Sequence, residues 1–241
     1  LSVFKNEKFN NITFPGLKQN LVVQIFPAGD GEYLLATEFG LFSYMNHKIT
    51  EVPTSLGSMS VNSIAVDKDN SIWLVAESRL YHFIKKPNAD SYVQQNHFAS
   101  DSSAFYLPFH TVYSPSSGGL WISLDNEAGV YRYKDDNLEY YGEHNGFPFA
   151  AAITIFEDKT GCTWFGTSGN GLLKFNGKAF VSFINNSGFK EPDIFSIALD
   201  SSGRVWASSF NKGVFYMDST GFNKFEPSVN IPLEQVRSIV V

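Results

Sequence analysis

The chain has 241 residues, 24 acidic against 18 basic side chains, a formal net charge of −6 and a pI near 5.3. That balance lacks the clustered Lys and Arg that a phosphate backbone needs, so nucleic acid is not an expected partner. No apolar run approaches the roughly 18 to 20 residues that span a bilayer, so no membrane contact by this chain itself is expected, and a single cysteine, Cys162, excludes a disulfide framework or a cysteine zinc cluster.

In chain order the sequence repeats one phrase. Leu1 to Phe14, LSVFKNEKFNNITF, lines up with Leu172 to Phe183, LLKFNGKAFVSF, so the chain opens in the middle of a repeat. A worn copy follows from Val22, VVQIFPAGDGEYLLATEFGLFSY, with Leu34 where the later copies carry tryptophan. The next copy, VNSIAVDKDNSIWLVAESRLYHF from Val61, places Trp73 39 residues after Leu34. An insertion, Gln94 to Phe109, then stretches the spacing to Trp121 to 48 residues. It holds His97, Asp101, Phe105 and Tyr106. Trp164 and Trp206 follow at intervals of 43 and 42, in AITIFEDKTGCTWFGTSGNGLLKF from Ala152 and IFSIALDSSGRVWASSFNKGVFYM from Ile194. Val236 to Val241 matches Val61 to Val66 and stops before the tryptophan strand. A period near 40 is the length of one four-stranded propeller blade.

Each copy reads as strands. Runs such as Ile153-Thr154-Ile155-Phe156 are β-branched and aromatic and suit a strand buried on both faces. Asp67-Lys68-Asp69-Asn70, Asp158-Lys159-Thr160-Gly161 and Asp200-Ser201-Ser202-Gly203 are tight turns, with Asp bonding nearby backbone and Gly or Asn taking a left-handed conformation. The strand returns through tryptophan, turns again at Gly40, Gly129, Gly171 or Gly213, and a third and fourth strand follow. Cys162, beside Trp164, reads as a small buried strand residue. The expected fold is all-β: a β-propeller of four-stranded antiparallel blades, about five complete repeats plus partial blades at both ends, forming a single domain over 1–241. The end pieces either join as a composite sixth blade or mark a fragment of a propeller of about seven blades. Unpaired strand edges favour the fragment.

The wording from Glu139 to Phe183 resembles the two-component regulator propeller repeat. The elements that carry it are Gly146-Phe147-Pro148, Glu157-Asp158, Gly161, Trp164-Phe165-Gly166-Thr167 and Gly171-Leu172. The resemblance is strong from Phe149 to Met217, moderate around Trp73 and Trp121, and weak before residue 40. Pro115 in place of the turn Asp, Ser78-Arg79 in place of a glycine, and Leu34 in place of tryptophan depart from it. The resemblance implies the periplasmic sensor region of a bacterial hybrid two-component system, in which propellers and a β-sandwich precede a membrane helix and a histidine kinase. It implies an oligosaccharide ligand, a neighbouring propeller or β-sandwich as partner, and phosphotransfer only in parts absent from this chain; a homodimer contact is a separate expectation, from the broad faces of a propeller.

No cofactor, metal site or catalytic residue is expected. His47, His82, His97, His110 and His144 fall at different strand positions without metal-ligand spacing, and Asp67, Asp158 and Asp200 recur once per repeat as turn residues. Neither a nucleophile elbow nor a P-loop is present. The loops entering the innermost strands gather on one face of a propeller, so the residue before the recurring Ser or Thr is displayed there. Stepping back eleven residues from each tryptophan position gives Val23, Asn62, His110, Ile153, Phe195 and, one repeat on, Arg237. Beside them run Ser63, Thr111, Thr154, Ser196 and Ser238. Sugars pack C–H faces on aromatic rings and hydrogen-bond to Asn, His and Arg. The ligand-binding candidates are therefore Asn62, Tyr106, His110, Phe149, Phe195 and Arg237. A protein-interaction or dimerisation propeller, and a propeller enzyme similar to the streptogramin lyases, are the alternatives; the WD40 signatures are missing.

Overall fold

The computed structural model describes residues 22–86, 92–95, 109–124, 129–135, 137–183, 193–209, 212–219, 221–226, 233, 236, 238 and 239, and the backbone of 2–5 and 8–11. The chain divides into two compact units, Leu1–Phe105 and Tyr106–Val241.

In the first unit, β1 (Ser2–Lys5) and β2 (Lys8–Asn11) pair as an antiparallel hairpin. The first blade is β3 (Val22–Gly29), β4 (Glu32–Thr37), β5 (Gly40–Met45) and β6 (Lys48–Glu51). The second is β7 (Val61–Val66), β8 (Ile72–Ala76), β9 (Arg79–Lys85) and β10 (Tyr92–Gln95). The second unit holds three more. Its blades are β11 (Phe109–Tyr113) to β14 (Asn137–Tyr141) through β12 (Leu120–Leu124) and β13 (Val130–Lys134); β15 (Ala152–Glu157), β16 (Thr163–Thr167), β17 (Leu172–Phe175) and β18 (Phe180–Ser182); and β19 (Ile194–Leu199), β20 (Val205–Ser209), β21 (Gly213–Asp218) and β22 (Gly221–Lys224). Every blade is a meander of antiparallel neighbours in sequence order. The fold is an all-β propeller. One short 3-10 turn, Glu143–Asn145, interrupts the strands of the described residues, and no helix there is long and apolar enough to cross a membrane.

The turns follow the residues that make them. Asn70, Gly161 and Gly203 sit at φ +62, +79 and +87, and each donates its N–H to the carbonyl of the Asp three residues earlier at 2.9 Å. The Pro115 turn closes in the same way, Gly118 N–H to Pro115 O at 2.9 Å, without the carboxylate. Where Ser78-Arg79 departs from the repeat, Glu77 and Ser78 take φ +45 and +60 and make the reversal without glycine.

The second strand of each blade carries the packing. β8, β12 and β16 are buried at every position, because each has a paired strand on both sides and packs against a neighbouring blade of its own unit. Trp121 meets Phe165 and Phe175 edge-on at 5.1 and 5.3 Å between ring centres, which ties the third blade to the fourth. Trp164 joins Ile194, Ile197 and Phe222 in the core between the fourth and fifth. Edge-to-face pairs of this kind add about 0.5–1.5 kcal/mol each beyond area burial. In the first unit Leu34 fills the tryptophan position at 2 % exposure, within a core that includes Ile64, Leu74 and Phe83.

Two sequence expectations are corrected. The run Ile153–Phe156 is half-buried at three of its four positions, because β15 is the edge strand of its sheet; the strand buried on both faces is β16. Cys162 is a half-exposed turn residue ahead of β16, held by its N–H to Asp158 Oδ1 at 3.1 Å.

Candidate functional site

The first strand of all five blades carries a β-bulge at one position. Pairing skips from Val22 to Gln24, Val61 to Ser63, Phe109 to Thr111, Ala152 to Thr154 and Ile194 to Ser196. The residue passed over is Val23, Asn62, His110, Ile153 or Phe195. A bulged residue leaves the ladder and its side chain is re-aimed. The column of variable residues is therefore a column of bulges.

The neighbouring column has a structural task. β7 and β19 are edge strands, so part of their backbone faces away from their own sheets. Gln24 Oε1 accepts the Ile64 N–H at 2.8 Å, and Ser196 Oγ accepts the Ile239 N–H at 3.0 Å. In each case a side chain of one repeat satisfies a backbone N–H about one repeat further on, which for the buried Ile64 removes an otherwise costly unpaired donor.

Asn62 is exposed, whereas His110 and Phe195 are half-buried. Within the first unit β3 and β7 lie side by side, which brings Val23 and Asn62 onto adjacent strands; within the second, β11 neighbours β15 and β15 neighbours β19, which does the same for His110, Ile153 and Phe195. Phe149 is 78 % exposed. Its loop is fixed by Gly146 at φ +85 and by fully buried Phe147, whose ring packs on Phe180 at 5.2 Å. Tyr106 and Arg237 lie outside the described residues, as do His97, Asp101 and Phe105 of the insertion.

A second constellation is shared by the fourth and fifth blades. Asp158 Oδ2 accepts the Trp164 indole N–H at 2.8 Å and pairs with Lys174 Nζ at 2.9 Å, while Oδ1 takes the backbone N–H groups of Thr160 and Cys162. Asp200 repeats the pattern with Trp206 Nε1 at 3.0 Å, Arg204 Nε at 2.7 Å and the N–H groups of Ser202 and Arg204. Burial pushes the Asp158 carboxyl up, but its donors outweigh that and hold it well below the usual carboxylate range. The Ser202 hydroxyl and Trp206 indole lead in doing the same for Asp200. Lys174 also lies over Trp164 at 4.9 Å.

The third blade keeps the tryptophan and the cation and loses the carboxylate. Pro115 stands six residues before Trp121, where the second, fourth and fifth blades have Asp67, Asp158 and Asp200. Trp121 is fully buried, and its Nε1 has no acceptor among the described residues. Arg132, paired across the strands with Trp121 and with Glu139, stacks over the indole at 4.7 Å and donates through Nη2 to Ser117 Oγ at 3.1 Å and Gly118 O at 2.8 Å. Burial pulls its guanidinium pKa down. A cavity of about 540 Å³ opens here between the third and fourth blades, with Trp121, Arg132, Lys134 and Tyr141 on one wall and Phe175 and Asn176 on the other. Sequence reasoning noted Pro115 as a departure but not the donors it leaves behind. The signal was the tryptophan retained without its Asp.

Neither a family model nor a curated protein sequence matches the chain. Among solved structures, it is similar to the extracellular domain of a hybrid two-component system from B. thetaiotaomicron, with a TM-score of 0.76 and 23 % identity over 96 % of this chain and 32 % of that one. A second such domain from the same organism gives 0.70 and 17 % over 99 % of this chain and 33 % of the other. The virginiamycin B lyase of Staphylococcus aureus gives 0.67 and 12 %, over 91 % and 74 %. The chain spans about a third of the length of the two extracellular domains. Its fold is that of the β-propellers in the extracellular domains of hybrid two-component systems.

Proposed function

We propose that this chain is part of the periplasmic ligand-sensing propeller of a hybrid two-component receptor, and that the ligand is an oligosaccharide. The observation that carries the reading is the bulge column. One re-aimed position per blade holds Val23, Asn62, His110, Ile153 or Phe195, so a constant frame displays a different side chain in each repeat. The likeness to extracellular domains over 96 % of the chain supports the receptor part. Apolar and aromatic members suit the C–H faces of a sugar, and Asn62 and His110 suit its hydroxyls.

The propeller does no chemistry in this reading. A ligand that binds one arrangement of the receptor more tightly than another shifts their populations by that difference in affinity, and the kinase lies elsewhere in the parent protein. Calorimetric titration of the chain and of the longer ectodomain against plant and host oligosaccharides tests this. Saturable heat with one glycan class, weakened about tenfold or more by His110→Ala or Phe195→Ala, is the expected result, since a lost ligand hydrogen bond or ring contact amounts to about 1–2 kcal/mol. Heat with neither protein would sink the sugar reading. Phe149, 78 % exposed on a fixed loop, favours a second reading in which this propeller docks a neighbouring domain.

A further inference from the structure

We infer that the cavity between the third and fourth blades binds the carboxylate of an acidic saccharide, which takes the place that an Asp side chain holds in the two blades that follow. That the carboxylate belongs to a sugar rests on the reading above; the carboxylate itself rests on the residues of this cavity.

In the fourth and fifth blades one carboxylate joins an indole N–H to a cation and to the N–H groups of the turn. The third blade presents an indole N–H without an acceptor among the described residues and a guanidinium with its Nη2 hydrogens spent on Ser117 and Gly118. Its Nε and Nη1 hydrogens have no acceptor among the described residues, and Arg132 forms no ion pair there. Guanidinium edges match carboxylates, and bonds between them are about twice as strong as neutral ones. Two nearby carboxylates are otherwise engaged: Glu157 accepts the Ser116 N–H at 2.7 Å and hydroxyl at 2.9 Å, and Glu139 accepts the Tyr141 hydroxyl at 2.9 Å; Asp135 also lines the cavity, beside Lys134.

The rest of the wall fits a sugar ring. Tyr141 and Phe175 offer half-buried aromatic surface, and Lys134, Asn137 and Asn176 offer polar side chains for hydroxyls. The volume, about 540 Å³, lies within the range of small-ligand sites.

The test pairs uronic-acid disaccharides with their carboxyl-reduced counterparts in calorimetric titrations of the full chain. The acids are expected to bind and the reduced forms to bind at least about tenfold more weakly, as loss of a charge-assisted bond implies. Pro115→Asp, which returns the internal carboxylate, is expected to weaken acid binding by the same factor while raising the melting temperature. Arg132→Gln is the second variant, with the same loss of binding. Equal binding of acid and reduced forms, unmoved by either variant, would overturn this site and leave a sugar sensor standing. Binding of citrate but of no sugar, lost in Pro115→Asp, would retain the carboxylate pocket and overturn its saccharide occupant and the sensor reading together.

Discussion

Asp158 reaches an indole, an ammonium and two turn amides with two oxygens. Truncation to Ala strands the N–H of fully buried Trp164 and should lower stability by about 1–3 kcal/mol, the cost of an unsatisfied buried donor; the midpoint of urea unfolding measures it. The same residue sets a pH dependence. Its folded-state pKa lies below the unfolded value near 4, so the unfolded chain binds more protons in between and stability rises with pH across that window. The contribution is complete above the unfolded value and is lost as pH falls toward the folded one. The urea midpoint should therefore hold from neutral pH to about 5 and fall below about 4, with a shallower fall in Asp158→Asn. An unchanged acid slope in that variant would refute the assignment.

Between elements, the repeats are joined by backbone as much as by cores. Gln24→Ala removes the acceptor of the Ile64 amide, which sits on the edge strand β7 of the second blade. It should speed hydrogen exchange at Ile64 and lower stability by about 1–3 kcal/mol, with little change in exchange at the amides paired inside β8. Gly166 illustrates close approach. Its φ is not positive, yet a Cβ there would lie 2.6 Å from the Cγ2 atoms of both Thr154 and Ile194. The glycine of Trp164-Phe165-Gly166-Thr167 thus admits the first strand of the next blade. Gly166→Ala is expected to destabilise by about 1–3 kcal/mol through overpacking, read as a lower melting temperature. Tyr113 spans the same kind of junction one blade earlier: its hydroxyl accepts the Glu157 N–H at 3.1 Å, and burial pushes its phenol up to about 12.

For the whole molecule, buried positions hold the blades together and other described positions stand exposed. Phe149 belongs to the second kind, with 78 % of its surface exposed beside a Phe147 that is fully buried. Phe149→Ser should leave the melting temperature within about a degree, as exposed substitutions generally do. If this loop docks a neighbouring domain of a longer ectodomain, as the second reading proposes, the substitution should also weaken that association in sedimentation experiments. Undiminished association would exclude this loop as the docking surface.

Periodicity alone determined the blades, their order and the turn at each Asp, because a four-stranded meander places its second strand once per repeat and marks it with the recurring tryptophan or Leu34, buried in four of the five blades. Counting back from those positions also picked out one variable column, and the structure makes its described members bulges, since the first and second strands pair in a constant register. The burial of single residues was less legible. Ile153 and Cys162 read as buried from composition, but one lies on an edge strand and the other in a turn. Only the tertiary structure decided that Gln24 serves the Ile64 amide 40 residues away, that Gly166 is required by space and not by φ, and that Trp121 and Arg132 converge on a cavity where Pro115 supplies no carboxylate. Each is a contact between separate strands or blades, and the distance and direction between side chains there are set by how twisted sheets pack.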